Sequence, residues 1–351
     1  MKTPVTDQGD KAGKDTGETV RYAWRYWTVF FLLGLPLLLS LWLYAYGVGP
    51  GPIRDGMEVA VIIPGRTGFA GIQEILAENK VIEDDIRFRL LARITGKAQV
   101  LKAGEYIFQP GLSPYQVLLL LEEGKVVQRP ITIPEGTALE EVADILAEDN
   151  WIDRQKFLEL ARNEDLIRNL GLSVDSLEGY LFPDTYYLSR GNQDEAAIIR
   201  MMVARFQEVY QEIRPAVPGQ PSLAQHEVLT LAAIVEKETG QDGERPLVAQ
   251  VFINRLQKGM RLQADPTVRY GRGQISGKLT RQDLLTPTPY NTYVIKGLPP
   301  GPICSPGRAA LTAVLQPAAG DLLYFVSKND STHHFSKTLA EHNRAVAKYQ
   351  R

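Results

Sequence analysis

The longest unbroken apolar pattern in the chain runs from Tyr26 to Ile53, a stretch without a single charged residue. Its core, Trp27 to Gly47, is about as long as a bilayer-spanning helix requires. Trp27, Trp42, Tyr44 and Tyr46 sit near its ends, where amphipathic aromatics prefer the membrane interface. Pro36 predicts a kink without forbidding a span. A cleaved signal peptide has a shorter apolar core as a rule, although Ala45 and Gly47 leave a weak cleavage option. Arg21 and Arg25 come immediately before the span, and positive charge stays on the cytoplasmic side. The pattern therefore predicts a cytoplasmic tail over 1–25, polar and disordered in its first twenty residues, a transmembrane helix over 26–48 and a Gly/Pro linker over 49–57. The bulk of the chain is then expected outside the plasma (inner) membrane, on a single N-in anchor.

Beyond the linker the periodicity changes. Val59 to Asn79 reads as an apolar alternating strand, a Pro/Gly turn and a helix with apolar residues three and four apart. Arg129 to Asn150 repeats the pattern: Pro64 and Pro134, Ile72 and Val142, and Leu76 and Leu146 are each 70 positions apart. Two copies suggest two small α+β units. Between them the pattern predicts a helix near Asp84 to Thr95, a strand over Ala103 to Phe108 and a helix opened by Ser113 and Pro114. Later helices are expected over 153–170, Glu195 to Ile213, Leu229 to Glu238 and Arg245 to Gly259, with a Pro-rich connection at 215–221 and a strand within Asp321 to Lys328. The fold class expected is α+β, with a small unit over 58–130 and a larger mixed unit over 131–351.

Composition narrows the function without naming it. Lys and Arg number 39 against 41 Asp and Glu, and no basic cluster stands out, so a nucleic-acid partner is not expected. The one cysteine, Cys304, excludes an intrachain disulfide and a lipid-anchored N-terminus. His333 and His334 are adjacent but no Cys or carboxylate cluster completes a ligand set, so no metal and no cofactor is expected.

The chemistry concentrates at Glu236-Lys237-Glu238, which closes the apolar helix beginning near Leu229. A carboxyl held against apolar surface has its charged form disfavoured, so it keeps its proton to higher pH. Such a group can deliver that proton to a leaving glycosidic oxygen. At ~100° per residue Lys237 falls opposite the Val228, Leu231, Val235 face, and Glu236 and Glu238 fall on its two flanks. Periodicity therefore leaves both carboxyls as candidates.

Around the triplet lie Leu177 to Leu188, Val251 to Gly271, Thr288 to Gly307 and His333 to Tyr349, dense in Asn, Arg, Gln, Tyr and Asp. Amide and guanidinium groups bond sugar hydroxyls, and aromatic faces lie against sugar rings. With the Glu-Lys-Glu helix, these segments resemble the YceG-like (MltG) family of membrane-anchored endolytic peptidoglycan transglycosylases, over about Val59 to Tyr349. The resemblance implies Glu238 as the catalytic acid. It aligns family motifs with Gln263 and Asp265-Pro266-Thr267, with Tyr290 to Tyr293, with Glu178-Gly179 and Pro183-Asp184-Thr185, and with His333. Gln263, Tyr290 and Asn291 are thus candidates for holding sugar hydroxyls or developing charge, Asp265 and Glu178 for ordering the site, and His333 for a substrate contact. Turn capping or structural hydrogen bonding explains each of them equally well. The unit over 58–130 resembles a LysM-like domain, and the unit over 131–351 a YceG-like catalytic domain.

The implied substrate is nascent peptidoglycan, cut internally between MurNAc and GlcNAc to leave 1,6-anhydroMurNAc ends and to terminate strand growth. Glycan strands, the membrane and peptidoglycan synthases are the partners this setting implies. Two other functions stay open: a two-carboxylate muramidase with Glu238 as acid and Asp265 or Glu178 as base, and a non-catalytic wall-binding scaffold.

Overall fold

The structure, a computed structural model, describes residues 24–53, 56–148, 150–191, 194–214, 223–275 and 277–350. The tail over 1–23 with Arg21, Arg54 in the linker, and the Pro-rich connection at 215–221 fall outside them. The fold is mixed α+β. Its chain divides into two compact units, one running up to Gln128 with a short return segment from Ser189, the other from Arg129 onward.

The first unit opens with α1 (Trp24–Val48), 25 residues with an 18-residue window of mean hydropathy 2.0, long and apolar enough to cross a membrane. A π-helical turn at Phe30–Gly34 precedes Pro36, whose missing N–H would leave an α-helical carbonyl unpaired. Most of α1 is bare of protein contacts, but its end is not. Leu43 joins the unit's core, and a Cβ on Gly47 would stand 3.2 Å from Leu91. Then follow β1 (Val59–Ile63), α2 (Phe69–Glu78), α3 (Ile86–Ile94), β2 (Gly104–Phe108) and α4 (Pro114–Glu123). β1 and β2 pair antiparallel, Val59 opposite Phe108 and Ile63 opposite Gly104. Inward-facing Val61, Ile63, Tyr106 and Phe108 meet Ile72, Leu76, Phe88 and Leu118 from the helices. Ser113 and Gln116 close a reciprocal capping box at the start of α4, with Pro114 at its first position.

The second unit holds β3 (Arg129–Thr132), α5 (Leu139–Glu148), α6 (Arg154–Leu160), α7 (Glu164–Asn169), β4 (Thr185–Leu188), α8 (Glu195–Ile213), α9 (Gln225–Glu238), α10 (Arg245–Gln257), α11 (Asp265–Gly271), α12 (Arg281–Leu285), α13 (Arg308–Leu315), β5 (Tyr324–Ser327), β6 (His333–Ser336) and α14 (Leu339–Tyr349). The single helix expected over 153–170 is two, because Asn163 caps a fresh start, its side chain accepting the Leu166 N–H at 2.8 Å. The second strand–turn–helix copy does not form a small unit of its own. β3 pairs antiparallel with β4, 53 residues on from Thr132 to Thr185, and its helix joins the large core. α9 runs through that core: every residue from Val228 to Val235 is buried. α10, α11 and α13 pack around it.

Candidate active site

α9 stops where its apolar run stops. Thr239 turns to extended backbone, so the Glu-Lys-Glu triplet forms the helix's last turn, at the negative end of its dipole. Lys237 points to solvent and donates to the Gly136 carbonyl at 3.1 Å. That carbonyl is aimed by the turn between β3 and α5, where Gly136 takes a left-handed φ of 76°.

The two flanks meet different neighbours. Glu236 is ion-paired to Arg245 at 3.0 Å, both side chains only 7% exposed, and it accepts the Gly307 N–H at 3.0 Å. Arg245 also bridges to Asp242. Both oxygens of Glu236 are therefore committed to structure. Glu238 faces the other way, into a cavity of about 260 Å³ lined with Lys237, Asp265, Pro266, Arg269, Tyr270, Gln274 and Ile303. The residue is half-buried, and packed protein strips most of the hydration from its carboxyl. That desolvation pushes its pKa up to about 8; the nearby Asp265 charge adds to the rise, and Arg255 opposes it. The position at a helix C-terminus acts in the same direction as burial.

α11 supplies the facing wall. Pro266 sits at its first turn, so the Asp265-Pro266-Thr267 stretch is a helix start and not an isolated turn. Asp265 and Arg269 are four apart and share a face. Three residues of the Tyr290 to Tyr293 loop fasten this helix, and Asn291 braces the loop itself. Tyr290 lies against Tyr270, ring centroids 4.8 Å apart. Asn291 is fully buried, and its amide donates to the carbonyls of Asp283, Leu284 and Thr286, the last at 2.7 Å. Thr292 bonds the Thr267 hydroxyl and the Ala264 N–H, each at 2.9 Å. Tyr293 donates its hydroxyl to Asp265 Oδ1 at 2.6 Å.

The residues singled out from sequence thus separate. Glu238 and Asp265 share the cavity. Glu178 is buried behind it, accepting the Tyr270 hydroxyl and the Leu139 N–H, each at 3.0 Å. Burial pushes its pKa up to about 7 against the pull of those hydrogen bonds and of the Gly179 N–H. Tyr290 touches the cavity wall through Tyr270 and itself lines a neighbouring cavity of about 320 Å³ with Glu178 and His226. Asn291, expected to hold a sugar, is a loop brace with no amide proton to spare; its spacing from Tyr290 and Tyr293 could not show that it points inward. Gln263 is exposed and holds a left-handed φ of 54°, uncommon outside Gly, Asn and Asp, with its N–H on the Thr292 carbonyl at 3.2 Å. His333 stands at the start of β6, where Glu244 accepts both its N–H at 2.8 Å and its Nδ1 at 2.7 Å. It does not line the Glu238 cavity.

Two residues that line the cavity, and one charge near it, were not singled out from sequence. Arg255 is buried in α10, donating to the carbonyls of Leu323 at 2.7 Å and Leu262 at 2.6 Å, within electrostatic reach of Glu238. Arg269 follows from α11 being a helix, four positions past Asp265 and so on its side; Tyr270, five positions past it, is not placed there by that period and lines the cavity all the same.

The model of the YceG-like family matches residues 61–348. An endolytic murein transglycosylase of Bacillus subtilis (strain 168) is 32% identical over 306 residues, covering 83% of this chain and 84% of that one. A protein of the same description from Streptococcus pneumoniae serotype 2 (strain D39 / NCTC 7466) is 27% identical, and the match covers 92% of this chain and 64% of the relative. A 2.6 Å crystal structure of a YceG-like protein from Listeria monocytogenes is 32% identical, covers 83% of this chain and all of its own, and superposes with a TM-score of 0.53.

Proposed function

The chain belongs to the YceG-like family, and from that premise we propose that it is an endolytic murein transglycosylase with Glu238 as its one acid–base group. The observation that carries the reading is a carboxyl that opens on a cavity with no hydrogen bond or ion pair among the described residues, where desolvation raises its pKa and favours the neutral acid. The neutral acid protonates the oxygen between MurNAc and GlcNAc, and the C1–O bond breaks. C1 of MurNAc becomes oxocarbenium-like, and the Asp265 carboxylate in the same cavity lies where a positive centre is stabilised. Glu238, now ionised, takes the proton of the MurNAc 6-hydroxyl, whose oxygen closes on C1. The product is a 1,6-anhydro ring; no water enters, and Glu238 ends protonated as it began. The internal hydroxyl supplies the proximity that a bound water would otherwise need.

The remaining assignments rest on placement. α1 is the membrane anchor, with Arg25 on its cytoplasmic side and both units outside the plasma membrane. The β1-α2-α3-β2 order with an antiparallel strand pair supports reading the first unit as LysM-like. An anchor holds the site where new strands emerge, which favours internal cleavage, termination of strand growth and a meeting with peptidoglycan synthases. Mass spectrometry of glycan strands digested by the purified chain tests the reaction. Anhydro ends from internal cuts are expected; reducing ends would instead indicate hydrolysis by a carboxylate pair.

A further inference from the structure

Glu178 is a buried carboxyl that the reaction above does not use, and what it holds is specific. Gly179 takes a left-handed φ of 80°, and a Cβ there would meet Pro302 at 2.5 Å, so the backbone next to Glu178 is fixed by close approach. From that seat one oxygen accepts the Leu139 N–H and the other accepts the Tyr270 hydroxyl, each at 3.0 Å. Tyr290 backs the Tyr270 ring at an interplanar angle of 58°. α11, which carries Tyr270, is itself pinned through Thr267 and Asp265. The ring is thus held from behind, beside it and along its helix, and it lines the cavity that Glu238 opens on.

We infer that Tyr270 is a substrate-binding residue of the Glu238 cavity, with Glu178 as the positioning residue that sets its hydroxyl. This rests on the proposed reading of that cavity as a glycan site. A phenolic hydroxyl has one proton. When Glu178 is ionised, Tyr270 gives its proton to it, so the Tyr270 oxygen faces a ligand as an acceptor only. The ligand chemistry this suits is a donor set beside a sugar ring: a hydroxyl, or the N–H of an acetamido group, with the ring itself resting against the aromatic face.

Glu178→Gln makes the idea testable because the Leu139 N–H is a fixed donor. The Gln carbonyl must face it, which turns the amide NH2 toward Tyr270. Tyr270 must then accept, and its own proton is released into the cavity. An acceptor becomes a donor while the shape is unchanged. In full-length protein, Tyr270→Phe should raise KM for purified glycan strands roughly three- to tenfold, the range of one neutral hydrogen bond, with kcat little changed. Glu178→Gln should do the same, and adding it to Tyr270→Phe should cost nothing further. The same series in a Glu238→Gln background, read as strand-binding affinity, should reproduce the pattern without any product forming. A wild-type KM for Tyr270→Phe, or additive losses in the double variant, overturns the inference. A merely structural role predicts lower melting temperatures with KM intact, and that also overturns it. If wild-type protein binds strands through Tyr270 but releases no anhydro ends, the binding assignment stands and the reaction proposed above fails.

Discussion

Two flanks of one helical turn carry the same side chain in opposite states. On one flank Glu236 finds a buried guanidinium and a backbone N–H. On the other, Glu238 finds a cavity, a neighbouring carboxylate and no hydrogen bond from the described residues to offset its burial. The first environment satisfies a charge and makes it part of the frame. The second denies the charge and leaves a proton to be used. Burial alone therefore does not mark a candidate acid: Glu178 is buried too but has both oxygens hydrogen-bonded, whereas Glu238 is the one that lacks a matched partner and opens on the cavity.

Substituting each Glu by Gln should separate the flanks most sharply. Glu238→Gln should abolish anhydro-product formation, a loss of about 10²-fold to 10⁴-fold or more for a group serving as acid and then base. It should also stabilise the fold at neutral pH. The native carboxyl keeps its proton up to about pH 8, while the unfolded chain releases it near 4.5. In that window the native state binds more protons, so wild-type stability falls as pH rises, and the Gln variant escapes that fall. Melting temperatures compared at pH 4.5 and pH 8 check this. The gap should open upward with pH, and a variant less stable than wild type at pH 8 would sink the assignment.

Glu236→Gln should do the reverse. It removes the buried partner of Arg245 and leaves that guanidinium only the exposed Asp242, a loss of up to about 3–5 kcal/mol when one partner of a buried pair is removed. Denaturant unfolding should show that loss, while specific activity per folded molecule stays within a few fold of wild type. Loss of all activity in a folded Glu236→Gln protein would mean the roles are assigned to the wrong flank.

Helical periodicity could bring both carboxyls to the end of α9 but could not tell them apart. What distinguishes them arrives from elsewhere in the chain: Arg245 and Gly307 on one side, α11 on the other. The same limit recurs across the fold. Local patterns were legible where local physics decides. Glu195–Ile213 is the helix its pattern predicts, and Ser113-Pro114 opens α4 through its capping box. The two strand–turn–helix copies are both present, 70 residues apart from Phe69 to Leu139 at their helix starts. Their partners were not legible: β1 pairs with the nearby β2, whereas β3 reaches forward to β4, and its turn ends under Lys237. At the site, the motif around Tyr290 to Tyr293 was visible as residue types, yet which of its side chains face inward depends on a loop that only tertiary contacts shape. Asn291 is buried with its amide on loop carbonyls, while Tyr270 lines the cavity, for that reason.

The raised carboxyl predicts a pH profile of definite sign. With Glu238 as the proposed acid, its protonated form is the active one, so kcat/KM should hold at lower pH and fall as pH rises past about 8, approaching tenfold per pH unit. Rates on isolated strands, taken between pH 5 and pH 9.5, measure it. A limb near the ordinary carboxylate range would mean that the cavity hydrates Glu238 more than its packing implies.

Asp265→Asn gives the smallest effect and the finest discrimination. Asp265 is the second cause of the rise at Glu238, after desolvation. Removing its charge should therefore move the basic limb to lower pH, with desolvation still holding it above the usual carboxylate range. The Tyr293 hydroxyl can still donate to the Asn carbonyl, so α11 should stay in place. The plateau rate should fall roughly tenfold, the equivalent of about 1.4 kcal/mol from one partly solvated charge facing the oxocarbenium centre. A carboxylate that activates water leaves no such remainder: its Asn variant would lose activity on the scale of Glu238→Gln, and the wild-type product would carry reducing ends. A modest loss with a displaced limb and unchanged anhydro ends identifies Asp265 as a charge that tunes Glu238. The contrast between the flanks then extends one residue further, to a carboxylate that acts by its field alone.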